Sequence, residues 1–246
     1  MGDLHPAGDH PAIGSRLERD ELHVWKLAPE PAANLDTYSG LLSREEQERS
    51  TRFLFPHLRR NFIVDHARLR LILGAYAGRA PESLTFAVNE YGKPELTDGA
   101  DTLRFNLSHT EGRSAVAVCL DSPVGIDVEA VRPMDDWEGI AQSHFSAREI
   151  AALHATAESD RQHAFFRCWT RKEAFLKAHG FGLSIPLDSF AVSLARETAP
   201  ALLECTWDPQ VTSRWSLLSL DLGEEFAGAL AIPRDDWKVR FFDWAR

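Results

Sequence analysis

Apolar positions fall in short runs whose spacing changes along the chain, and each change of period marks an element. Leu22, Val24, Trp25 and Leu27 predict a short strand over Glu21–Leu27. Ser43-Arg-Glu-Glu46 has the residue types of a capping box and opens a first helix. From about Leu58 to Tyr76, Phe62, His66, Leu69, Leu73 and Tyr76 recur on one face, which predicts a second helix with Gly74 and Gly78 near its end. β-prone runs follow at Leu84–Val88, Leu103–Leu107 and Ser114–Leu120, separated by the turn residues Tyr91-Gly-Lys-Pro94 and Thr110-Glu-Gly112.

The same order then recurs. Val124–Glu129 predicts a strand, and Ser146-Ala-Arg-Glu149 and Ser159-Asp-Arg-Gln162 predict capping boxes for two more helices, the second closed by Gly180. Strands are predicted at Ser189–Leu194, Leu202–Trp207, Trp215–Leu220, Phe226–Ile232 and Lys238–Trp244. Two tandem units predict an α+β fold of two similar α/β halves related by pseudo-twofold symmetry, residues 17–123 and 124–246, with the site in the cleft between them. Residues 1–16, rich in Pro, Gly, His and Asp, read as a disordered lead-in.

Within Val124-Gly-Ile-Asp-Val-Glu129 the strand period puts Asp127 and Glu129 on one side and Ile126 and Val128 on the other. In Trp169-Thr-Arg-Lys-Glu-Ala-Phe-Leu-Lys177 the four-residue spacing stacks Trp169, Glu173 and Lys177 on one helix stripe. Three carboxylates and a lysine, without a His or Cys cluster, make a hard oxygen site suited to Mg²⁺ or Mn²⁺ bridging phosphates. The implied substrate is a phosphate ester or anhydride. Glu149 is accounted for by its cap with Ser146, and Lys172 points to another helix face, as a cation at the surface or behind the site. Trp169 divides evenly between core packing and shaping the site. His144, His154, His163 and His179 lack ligand spacing and read as surface residues.

The 246 residues carry a formal net charge of −10, which argues against a nucleic-acid binder, although Arg59, Arg60, Arg68 and Arg70 offer a local basic surface for a phosphate. Cys119, Cys168 and Cys205 each sit in an apolar stretch and read as buried thiols. No apolar run reaches membrane-spanning length and the N-terminus lacks the pattern of a signal peptide, so a cytoplasmic protein without membrane contact is expected.

Phe105-Asn-Leu-Ser-His109, Gly125-Ile-Asp-Val-Glu129 and Trp169–Lys177, continued by Gly180-Phe-Gly-Leu183 and Pro186-Leu-Asp188, resemble the signature segments of the 4′-phosphopantetheinyl transferases. Length, the Tyr91–Pro94 turn and the twofold layout resemble the surfactin-type, pseudo-dimeric branch. The resemblance implies Mg²⁺-dependent transfer of the phosphopantetheine arm of coenzyme A to a serine of an apo acyl or peptidyl carrier protein, releasing adenosine 3′,5′-bisphosphate. It implies that Asp127, Glu129 and Glu173 hold the metal, that Glu173 is the general base and that Lys177 stabilises the leaving phosphate. It further implies that Ser108 and His109 bind the 3′-phosphate and pyrophosphate, that Tyr91, Gly92 and Lys93 hold the nucleotide, and that Arg60 and Arg49 stand near the 3′-phosphate.

Two other readings of the same residues are a metal-dependent nucleotide phosphohydrolase and a non-catalytic coenzyme A sensor. Carrier docking is expected on Trp137, Ile140, Phe145, Ile150 and Leu153. A monomer is expected, since two fused halves supply what separate subunits supply in shorter relatives.

Overall fold

The computed structural model describes residues 16–31, 33–97, 102–180, 182–196, 198–233 and 236–244; the predicted lead-in lies, but for Arg16, outside the described residues. Two sheets dominate. The first has the order β11-β1-β5-β4, from β1 (Glu21–Leu27), β4 (Leu103–Thr110), β5 (Arg113–Leu120) and β11 (Lys238–Asp243). The second has the order β6-β10-β9, from β6 (Gly125–Ala130), β9 (Trp215–Ser219) and β10 (Phe226–Pro233). Two small hairpins accompany them, β2 (Phe86–Val88) with β3 (Pro94–Leu96), and β7 (Phe190–Val192) with β8 (Leu202–Cys205).

The sheets pack face to face, and strand parity shows why. Leu22 and Val24 of β1 and Ala115, Ala117 and Cys119 of β5 meet Ile126 and Val128 of β6 and Leu230 and Ile232 of β10 in one buried cluster. The opposite parity, Trp25, Leu27, Val116 and Val118, packs under helix α3 (Pro56–Ala77). Ala227, Ala229 and Ala231 of β10 pack under helix α6 (Arg161–His179) in the same way. The layers therefore run helix, sheet, sheet, helix. Short helices α1 (Leu35–Ser39) and α2 (Arg44–Ser50) flank α3, while α4 (Trp137–His144) and α5 (Ala147–Ala155) flank α6; α7 (Val211–Arg214) leads into β9.

Each unit runs strand, helices, small hairpin, hairpin, and in each the first strand pairs with the last strand of the hairpin, β1 with β5 and β6 with β10. The strand at Lys238–Asp243 departs from the predicted division: it pairs parallel with β1, so it belongs to the sheet of the first unit. The capping boxes at Ser43 and Ser146 form with Glu46 and Glu149. The box expected at Ser159 does not; Glu158–Asp160 is a 3₁₀ turn and α6 starts at Arg161 without a side-chain cap. Gly180 ends α6 in the left-handed region at φ 73°. No helix among the described residues is long and apolar enough to cross a membrane.

Candidate active site

β4 and β6 are the facing edge strands of the two sheets, and side chains rather than backbone bonds join them. Asn106 Oδ1 accepts from Ile126 N at 2.8 Å, Ser108 Oγ from Val128 N at 3.1 Å, and Thr110 Oγ1 from Ala130 N at 3.1 Å. Polar residues at alternate positions of β4 thus satisfy alternate N–H groups of β6. Because Ile126 and Val128 fill the sheet interface, Gly125, Asp127 and Glu129 turn towards α6. There β6 approaches the helix so closely that a Cβ on Gly125 would lie 2.0 Å from the Ala174 carbonyl.

Asp127, Glu129, Glu173 and Lys177 converge with Ser108 and His109 on one cleft of 650 Å³, walled by Leu107, Trp169, His144 and the segment Ile185–Leu187. Lys177 Nζ lies 2.6 Å from Asp127 Oδ1 and donates to Ser108 Oγ at 3.1 Å. Ser108 Oγ also donates to Asp127 Oδ1 at 3.0 Å. Its one proton and two lone pairs are all engaged. His109, the next residue of β4, lies exposed at the rim of the cleft.

Burial and the neighbouring Asp127 charge raise the Glu129 and Glu173 carboxyls above their ordinary range, with Lys177 opposing both. Asp127 Oδ2 is buried without a hydrogen-bond partner. An orphan carboxylate oxygen among mutually repelling hard donors fits a divalent cation chemically. As the side chains stand, no three His, Cys, Asp or Glu groups among the described residues are close enough to hold a metal. Lys177 instead supplies the positive charge at Asp127.

A second recess of 270 Å³ shares Leu107, Glu173 and Lys177 with the cleft and brings in Tyr91, Gly92 and Lys93. The Lys93 ammonium donates to Val124 O at 3.0 Å and Ala178 O at 3.3 Å, tying the β2–β3 turn to β6 and α6. Burial lowers its pKa to about 8. Arg60 lies apart, in a recess of 210 Å³ with Asp65, Thr110 and Arg113, donating to Pro31 O at 2.8 Å. Arg49 lines none of these three recesses and stacks its guanidinium 5.2 Å from the Phe62 ring centre.

Several expectations are corrected. Lys172 is fully buried, paired with Glu149 at 2.8 Å and donating to Leu187 O and Phe190 O at 2.7 and 2.6 Å. Glu149 in turn accepts from Val192 N at 2.8 Å, so it is a buried hub as well as a cap. Arg68 and Arg70 are buried against Glu30 and Glu46 at 2.5 and 2.7 Å and offer no basic surface. Phe145 and Leu153 are core residues, with Trp137, Ile140 and Ile150 packed against them, which leaves little apolar surface there. His179 is stacked on Trp215 at 4.3 Å, whereas His144 is exposed as expected and stands at the cleft with its ring centre 6.2 Å from that of Trp169. Trp169 packs on Phe165 while lining the cleft, so it serves both purposes.

The family profile of the 4′-phosphopantetheinyl transferase superfamily matches residues 123–231, which span β6 to β10. The chain is 36% identical over 231 residues to the 4′-phosphopantetheinyl transferase HetI of Nostoc sp., covering 93% of this chain and 94% of that one. It is 34% identical over 171 residues to a 4′-phosphopantetheinyl transferase of Bacillus subtilis, covering 70% and 75%. Among solved structures, the holo-[acyl-carrier-protein] synthase of Thermotoga maritima aligns with 46% of this chain and 63% of that one, at 24% identity and a TM-score of 0.36. With a relative 36% identical over 93% of this chain, and with Asp127, Glu129, Glu173 and Lys177 inside the profile match, this chain belongs to the 4′-phosphopantetheinyl transferase superfamily.

Proposed function

We propose that this chain moves the 4′-phosphopantetheine arm of coenzyme A onto a serine of an apo acyl or peptidyl carrier protein, releasing adenosine 3′,5′-bisphosphate. The observation that carries the reading is the convergence of Asp127, Glu129, Glu173 and Lys177 in a cleft continuous, through Glu173 and Lys177, with the recess at Tyr91, Gly92 and Lys93. Its two compartments suit a substrate with a nucleotide at one end and a reacting pyrophosphate at the other. Asp127, Glu129 and Glu173 would hold Mg²⁺, or Mn²⁺ in its place, with Asp127 Oδ2 free to ligate. When bound, the cation supplies neutralisation of phosphoryl charge.

The carrier serine oxygen bonds to the phosphorus bearing pantetheine, and the bond from that phosphorus to the bridging oxygen breaks. The serine proton goes to Glu173, which lines the cleft beside Lys177. Lys177 stabilises the negative charge on the departing phosphate. His109 is exposed at the cleft and available to a phosphate, whereas Ser108 acts by holding Asp127 and Lys177. Lys93 with Tyr91 and Gly92 positions the nucleotide, and Arg60 and Arg49 reach the 3′-phosphate only if their present contacts open. We also assign a pseudo-twofold relation of the two units, the surfactin-type branch, a monomer and a cytoplasmic setting.

Intact mass spectrometry of an apo carrier domain incubated with this protein, coenzyme A and Mg²⁺ tests the reading. The expected result is a gain of one phosphopantetheine, lost in Glu173→Gln and without metal. Phosphate-containing products formed without a carrier would assign a phosphohydrolase instead, and coenzyme A binding without transfer to carriers of several classes would assign a sensor.

A further inference from the structure

On α6 the stripe His163, Arg167 and Arg171, continued back to Asp160 just before the helix, faces away from Glu173 and Lys177, since two residues turn a helix by about 200°. It lines a separate cavity of 640 Å³, closed by Ser219, Arg196 and the β9–β10 turn. That volume falls in the range of small-molecule sites, roughly 300–1,000 Å³.

The charges in this cavity are unevenly matched. Arg171 is buried, and its guanidinium donates to Ser193 O, Ser193 Oγ and Ser219 Oγ, three neutral acceptors for five N–H donors. Among the described residues no carboxylate pairs with it. Burial first, then the Arg167 charge, lowers its pKa to about 10. Asp160 pairs with Arg167 at 2.7 Å, and Arg167, His163 and Arg196 together hold its carboxyl below the usual range. The other acids lining the cavity, Asp221 and Glu224, are exposed, where water screens them. A desolvated cation without a counter-ion is costly, and an entering anion removes that cost.

We propose that this cavity binds a small phosphate-bearing anion, inorganic phosphate or a phosphate monoester, through Arg171, Arg167 and Arg196. The guanidinium forks suit its several acceptor oxygens, and the Ser219 hydroxyl lies beside them. The site is separate from the transferase cleft and stands on the rear of the helix that carries Glu173 and Lys177.

The test is isothermal titration of the full chain with inorganic phosphate and, separately, β-glycerophosphate. Coenzyme A is left out, because its own 3′-phosphate would compete at this site; the variants separate binding here from binding in the front cleft. Saturable binding is expected in the wild type and in Arg52→Glu, an equal charge change at an exposed position elsewhere. Arg196→Glu, an exposed position that leaves the fold intact, should weaken binding ~10-fold or more, as loss of one charge-assisted contact implies. Arg171→Lys should weaken it further. The tighter of the two probes identifies the source of the phosphate. No saturable binding of either probe, or equal weakening by Arg52→Glu and Arg196→Glu, would overturn the proposal.

Discussion

Gly125→Ala tests how the carboxylates of β6 are set against α6. The added Cβ would stand 2.0 Å from Ala174 O, 2.3 Å from Ala178 N and 2.9 Å from Ala178 Cα, where ordinary contact begins at 3.4 Å. All three atoms are backbone, so no side chain can turn aside, and strand and helix must part by roughly 1.4 Å. Overpacking of this kind costs about 3 kcal/mol. For a chain of this length that lowers Tm by about 6–12 °C. The same displacement separates Asp127 from Lys177, now 2.6 Å apart, and a misplacement of about 1 Å can cost ~100-fold in rate. Thermal unfolding and carrier-loading kinetics measure the two effects, with Gly228→Ala as the control. There the obstructing atoms belong to the Leu222 and Leu220 side chains, nearest at 2.7 Å, which can repack for about 1 kcal/mol. A Gly125→Ala protein with wild-type Tm and loading rate, or one no worse than Gly228→Ala, would refute the argument from close approach.

Lys172→Met should cost about 3–5 kcal/mol in urea unfolding, because it strands the fully buried Glu149 carboxylate; the double change with Glu149→Gln should recover part of that cost. Ser108→Ala removes the acceptor of the buried Val128 N–H, so it should lower stability by about 1–3 kcal/mol and slow loading without a comparable rise in the KM for coenzyme A. A rise in KM alone would restore Ser108 as a phosphate ligand. His66, stacked on Phe62 at 3.9 Å, has its pKa lowered from 6.5 to about 4 by burial, so the unfolded chain binds the proton first. Stability should be complete above pH 6.5 and fall by about 3 kcal/mol as pH drops towards 4; denaturation midpoints against pH should lose that slope in His66→Gln.

What the amino-acid sequence disclosed depended on whether period or partner decides a residue's role. Ile126 and Val128 against Asp127 and Glu129 is a pure alternation, so the face carrying the acids could be read before any packing was known. Glu173 and Lys177 were legible for the matching reason on a helix. The position of β11 was not, because nothing local tells a C-terminal strand to cross back and pair with β1. Lys172 carried a signal that its charge concealed: Phe165, Cys168 and Phe175 lie seven and four residues before it and three after it, all buried on one face. A lysine in such a stripe needs an acid, and Glu149 is the only carboxylate paired with it among the described residues.

Asn106, Ser108 and Thr110 show why a site motif can be misassigned even when it is found. Their alternation reads as the polar face of a half-exposed strand, and next to a histidine it reads as ligand chemistry. In the folded chain those side chains replace a backbone ladder, at a constant offset of twenty residues from the N–H groups they receive. A backbone ladder would merge the two sheets into one and carry β6 into the plane of β4. The side-chain ladder instead lets the sheets stack while their edges remain joined, which leaves room above the seam for the cleft. Ser108 belongs to that ladder and also bonds Asp127 and Lys177, so the hydroxyl that joins the two sheets is the one that fixes the charged pair. The polarity of the motif is therefore required by the architecture first, and the chemistry is built upon it.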